Sequence, residues 1–142
     1  MRYSEVIYPT SVLGLSALFL MAGIGKLLDP NLLRIELSHL HVFPEYAVWA
    51  LSRWIPWVEL SCSCGLVSSR WRKGAAFTSV LLSFSFLAVS LSGWILGWST
   101  VCACLGAVST GWSGISWPLH AGISVIMVLM SISVFIWGEP EA

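Results

Sequence analysis

The chain has 142 residues, of which 57% are hydrophobic and 10% charged, and its formal net charge is zero. Soluble domains carry about 25% charged residues, so this chain lacks the charge to cover a water-facing surface, and lipid is its natural solvent. The neutral balance gives no electrostatic case for nucleic acid, and the length predicts one all-α domain over residues 1–142, with about four membrane-spanning helices of roughly 20 residues each.

The first helix is predicted over residues 9–28. Arg2 is offset by Glu5, the apolar stretch is longer than a signal-peptide core, and no small-residue cleavage site follows it. A retained helix is therefore expected. Asp29-Pro30 stops it, because the residue before proline avoids the helical region. Gly14, Ala17, Met21 and Gly25 recur at helical spacing and predict a narrow face for close helix contact. The following loop, Asp29 to Glu45, is the most polar part of the chain. Within it, Asn31 to His41 predicts a short interfacial helix laying Leu32, Leu33, Ile35, Leu37 and Leu40 on the bilayer surface. His39 and His41 are two positions apart and would point to different sides of a helix, which argues against a metal pair.

The second long helix is predicted over 46–67. It carries Arg53, Pro56 and Glu59, then Cys62 and Cys64. Proline inside the span frees a carbonyl and kinks the helix. Glu59 falls near the bilayer midplane, where a carboxylate is costly and marks a candidate functional site. It either stays neutral against the bundle or pairs with Lys26 or Arg53. A proton relay and a structural tie are both open. Trp49, Trp54 and Trp57 suit an aromatic pocket for a membrane quinone, or simple interface anchoring.

The turn Ser68–Gly74 holds Arg70, Arg72 and Lys73, three of the seven basic residues. The positive-inside rule places it in the cytoplasm. Both termini then lie in the cytoplasm, and the first and third loops lie outside. The third long helix is predicted over 75–96, with serines 79, 83, 85, 90 and 92 as packing or hydrogen-bonding residues. The fourth is predicted over 117–137, capped by Ser116 and carrying Pro118 in its first turn.

Between them lies Val101-Cys102-Ala103-Cys104-Leu105-Gly106. A thiolate attacks a disulfide sulfur, and a neighbouring thiol resolves the mixed disulfide. The ring closed by two cysteines one residue apart is very small and easily reopened, which suits an electron carrier. On the outer side of the membrane the pair meets an oxidising compartment. His120 lies at the same depth, beside a helix N-terminus that favours a thiolate. If Cys102 and Cys104 oxidise a partner's thiols, a membrane quinone is the natural electron acceptor. Cys62 and Cys64, in the inner half of their helix, are a second redox pair or mere packing. They are too distant to bridge the outer pair, which needs Cα atoms within about 7 Å. Four cysteines suit a soft metal, but their separation in depth argues against one shared site, and no metal is assigned.

Ala22-Gly23-Ile24-Gly25-Lys26-Leu27, Pro56-Trp57-Val58-Glu59 and Cys102-Ala103-Cys104-Leu105-Gly106, in that order, resemble the MauE branch of the DoxX-like membrane proteins. The resemblance implies an integral membrane four-helix bundle similar to vitamin K epoxide reductase and related disulfide-generating enzymes. It implies maturation of the disulfide-rich small subunit of methylamine dehydrogenase, beside a thioredoxin-like partner. By position it makes Cys102 and Cys104 the redox pair, and Lys26 and Glu59 the charged residues of the motif. Three functions stay open. One is a thiol–disulfide protein of the cell membrane serving a cysteine-rich extracytoplasmic client. The second is a DoxX-type subunit anchoring a redox complex. The third is a soft-metal-handling membrane protein.

Overall fold

The structure, a computed structural model, describes residues 3–97 and 117–138. Among these residues there are five helices and no strand: α1 (Tyr3–Leu28), α2 (Pro30–His39), α3 (Glu45–Val67), α4 (Arg72–Leu96) and α5 (Trp117–Trp137). α1, α4 and α5 are long and apolar enough to cross a membrane. α3 has comparable length at 23 residues, but Arg53 and Glu59 lower its hydropathy. Among the described residues, large apolar side chains such as Leu13, Ile24, Leu81, Ile126 and Leu129 face outward. A water-soluble monomer seldom exposes so much apolar surface.

α1 starts at Tyr3, ahead of the expected Pro9. A proline there removes its own amide from the helix ladder and crowds the carbonyl four residues back, but a tertiary contact holds the turns before it. Arg72 donates to the Tyr8 hydroxyl at 3.2 Å and lies over its ring. α4 likewise starts at Arg72 rather than Ala75. The Arg72 side chain reaches back to the Leu66 and Val67 carbonyls, at 2.9 and 3.3 Å. It thereby satisfies acceptors that the end of α3 leaves open. At its other end, α4 closes on Gly97, whose φ of 64° is the left-handed conformation glycine adopts without strain.

Asp29-Pro30 both ends α1 and begins α2. The Asp29 carboxylate accepts from the Asn31 amide at 3.2 Å, with proline in the first turn. α2 packs one face against α3. Leu33, Glu36 and Leu37, spaced by three and one, form a single face and are buried. The two leucines pack with Val48 of α3, with Leu32 and Leu40 partly buried beside them; Ile35 stays exposed.

The long helices contact one another in a ring: α1 touches α3 and α5, and α4 touches α3 and α5. The core includes Leu15, Phe19, Leu66, Phe86, Met127 and Val134. Of the expected small-residue face, Gly25 is buried and Gly14 lies close against Met130 of α5, whereas Ala17 and Met21 are exposed, so the inner face of α1 is only in part the expected one. It runs through Leu15, Ser16, Phe19, Gly23 and Lys26, of which Ser16, Gly23 and Lys26 meet α3 and Phe19 meets Phe86 of α4. Ser16 and Ser63 each donate to the other's carbonyl, at 3.0 and 2.8 Å, a reciprocal tie between α1 and α3. Ser83 and Ser131 tie α4 to α5 at 3.2 Å. Ser85 and Ser92 bond back to their own helix.

α3 and α4 approach closely at Gly65. A Cβ there would stand 2.8 Å from the Ala75 Cβ, which cannot swing aside. Gly65→Ala is expected to lower the unfolding midpoint in detergent by the equivalent of about 1–3 kcal/mol. Gly74→Ala meets nothing within 4 Å and should leave the midpoint unchanged or slightly raised. Equal midpoints for the two variants would refute this close approach.

Candidate functional site

Lys26 lies in the last turn of α1, where a cation complements the helix dipole. Glu59 lies about 21 Å along α3 at 1.5 Å per residue. Of the two cations the sequence offers Glu59, the structure brings it Lys26: Nζ donates to Oε1 and forms an ion pair. Both residues are 0% exposed. Glu59 Oε2 has no hydrogen-bond partner among the described residues, so the carboxylate depends on Lys26. The Phe86 ring of α4 takes the other side of the ammonium, 4.3 Å from its centroid. A desolvated cation–π contact of this kind contributes about 2 kcal/mol. Removing one partner of a buried pair costs about 3–5 kcal/mol, because the other charge is stranded. The pair therefore locks α1, α3 and α4 at one point.

Sequence reasoning missed two neighbours of this pair. Phe86 carries no local signal of its role. Glu36 does, since it stands three and one positions from Leu33 and Leu37 on the apolar face of α2. It is 3% exposed and, with Lys26, Leu33, Phe86 and Val89, walls a cavity of about 70 Å³.

The remaining candidates lie elsewhere. Arg53 is exposed and sits over the Trp49 ring, 5.2 Å from its centroid. Trp54 and Trp57 line a groove of about 910 Å³ along α3 and α4, whereas Trp49 does not. His120 is buried in the first turn of α5, and its carbonyl accepts from Ser124 at 3.0 Å. His41 Nδ1 lies 2.8 Å from the His39 carbonyl oxygen. Among the described residues no group of three or more His, Cys, Asp or Glu could hold a metal ion. Cys102 and Cys104 lie outside the described residues.

Cys62 and Cys64 are both free, and they face different sides of α3. Cys62 is buried and donates to the Ala75 carbonyl at 3.2 Å, Cys64 is exposed, and both residues contribute to the lining of the groove. Two positions along a helix separate side chains by more than half a turn of direction. A disulfide between them would require α3 to unwind.

Long apolar helices, outward apolar side chains and an ion pair sealed among helices define an all-helical membrane protein with several spans. A sequence profile of the methylamine utilisation protein MauE family matches residues 4–138, and the chain belongs to that family. It is thus a membrane protein related to methylamine utilisation. No curated protein and no solved structure matches the chain.

The geometry of α3 makes a direct prediction about its thiols. In a Cys102→Ser/Cys104→Ser background, a maleimide should label one thiol in the folded protein and both after denaturation. The fast site should disappear in Cys64→Ser. Labelling of both thiols at one rate in the folded state would contradict the burial of Cys62.

Proposed function

We propose that the chain is a thiol–disulfide redox protein of the inner cell membrane, a four-helix bundle spanned by α1, α3, α4 and α5 with both termini in the cytoplasm. The observation that carries the reading is the length of α4, 25 residues. At 1.5 Å per residue it extends about 37 Å, more than the hydrocarbon core of about 30 Å. It leaves from the basic turn Arg70–Lys73 and ends shortly before Cys102 and Cys104. A cytoplasmic basic turn puts the cysteine pair on the oxidising side, where thiol exchange with an extracytoplasmic client can proceed. α5 follows with His120 in its first turn.

In this reading the Cys102–Cys104 disulfide takes two electrons from a client dithiol, which leaves as a disulfide with loss of two protons. A thioredoxin-like partner relays the exchange: its dithiol is oxidised by the pair, and its disulfide then takes two electrons from the thiols of a cysteine-rich client. Reoxidation of the pair passes two electrons and two protons to a membrane quinone, which becomes the quinol. Lys26 and Glu59 hold the helices in place.

A second reading, a DoxX-type subunit that anchors a redox complex without exchanging thiols, is favoured by one observation. Cys62 and Cys64 face apart, so α3 offers no second dithiol to receive electrons from the outer pair.

Mass-tagged maleimide labelling in denaturant, with and without prior reduction, separates the two. For the redox reading, the protein trapped in cells should show two reactive thiols of its four cysteines, and all should react after reduction. Cys102→Ser should show three in both conditions and lose client maturation. Full labelling without reductant, together with normal maturation by Cys102→Ser, would leave only the anchoring role.

A further inference from the structure

The groove along α3 and α4 belongs to neither the ion pair nor the cysteine pair. Its wall on α3 runs from Trp54 to Ser68, and on α4 it reaches Thr78. Along α3 that is about 21 Å at 1.5 Å per residue. One leaflet's share of a hydrocarbon core of about 30 Å is shorter. Between the tryptophans the lining includes the small residues Cys64, Gly65 and Ala75, and among the described residues no side chain fills the space.

One end of the groove opens at the turn between α3 and α4, marked by Trp71, which is 69% exposed. A tryptophan so placed sits at headgroup level. Arg70 and Lys73 flank it, both exposed, and the segment 68–74 contains no acidic residue. Among the described residues the ion pairs are Lys26–Glu59 and Arg34–Glu45, so neither Arg70 nor Lys73 is engaged in one. Arg72 is turned away onto the α3 carbonyls and Tyr8. The groove is therefore lined without a charged residue for the depth of a leaflet, and the exposed cations Arg70 and Lys73 are the chain neighbours of Trp71 and Gly74 at its end. A quinone would use the apolar wall and leave the two cations idle. A lipid with an anionic headgroup uses both.

We propose that this groove is a binding site for an anionic phospholipid, with its phosphate between Arg70 and Lys73 and an acyl chain along α3 and α4. The inference rests on the membrane assignment and is independent of the thiol chemistry. Two basic residues at an anionic headgroup give a preference of roughly tenfold or more over a zwitterionic lipid.

The test is native mass spectrometry of the full chain in detergent, titrated with phosphatidylglycerol or with phosphatidylcholine of the same acyl chains. The wild type should retain one phosphatidylglycerol roughly tenfold more tightly. Arg70→Gln/Lys73→Gln, both on the exposed turn, should reduce that retention to the phosphatidylcholine level. Cys64→Phe, which fills part of the groove and leaves the turn intact, should lower retention of both lipids, with the unfolding midpoint in lipid-free detergent as its folding control. Equal retention of the two lipids by the wild type, or no effect of the double variant, would overturn the proposal. So would displacement of the lipid by inorganic phosphate, which marks a free-anion site, or by one equivalent of ubiquinone, which marks a quinone site. A lipid-free dimer as the stable species would assign the groove to a second copy of the chain.

Discussion

An ammonium and a carboxylate meet inside this protein with no exposure to the outside, at Lys26 and Glu59. An isolated ion in so apolar a place would cost tens of kcal/mol by Born solvation. Attraction between the partners offsets that cost only where geometry and further contacts are good. The surrounding architecture supplies them. α1 ends within two residues of Lys26, so its carbonyl end lies beside the cation. Gly23 lets α1 settle against Leu60 and the Pro56 carbonyl; a Cβ there would stand 2.9 and 3.1 Å from them. Ser16 and Ser63 tie the same two helices further along. Phe86 brings in α4. The short α2 then turns back and covers the flank that α1 leaves open, with Leu33 and Leu37 against α3.

How much of this the sequence discloses depends on whether the signal is local. The apolar runs of α1, α4 and α5 exceed the length a bilayer requires, so the helices are legible. An acid within a membrane segment marks itself, and Glu59 with its two possible cations is legible for that reason. The choice of Lys26 over Arg53 is not local. It depends on how α1 and α3 align, which in turn depends on Gly23 and on serines 47 positions apart in sequence. The helix starts at Tyr3 and Arg72 escape sequence reasoning for the same reason, since Arg72 contacts Tyr8 across 64 positions. The small-residue stripe of α1 misleads in part because size alone cannot say which face meets α3. The inward turn of α2 was available locally, in the spacing of Leu33, Glu36 and Leu37. The groove is a product of helix separation, set at Gly65 and Ala75, and no short motif encodes it. Cys102 and Cys104 carry the strongest chemical signal in the sequence, and they fall outside the described residues.

Chemistry and anchoring separate along the chain. In sequence, the basic turn precedes α4, and Cys102 and Cys104 follow it. In the redox reading the outer pair changes its covalent state at every turnover while the helices beneath it stay fixed. A satisfied, sealed ion pair is suited to that fixing role, because its loss strands a charge rather than trimming one contact among many. The thiols of α3 fit the same division, with Cys62 buried and bonded to the Ala75 carbonyl of α4 and Cys64 exposed.

The most direct measurement of this account is a double-mutant cycle at Lys26 and Glu59, read by reversible unfolding in mixed detergent micelles. Lys26→Met and Glu59→Leu should each destabilise by about 3–5 kcal/mol. The combined variant, which strands no charge, should regain most of that loss. Two small, additive losses would show that the pair does not hold α1 to α3, and the account built on it would not stand.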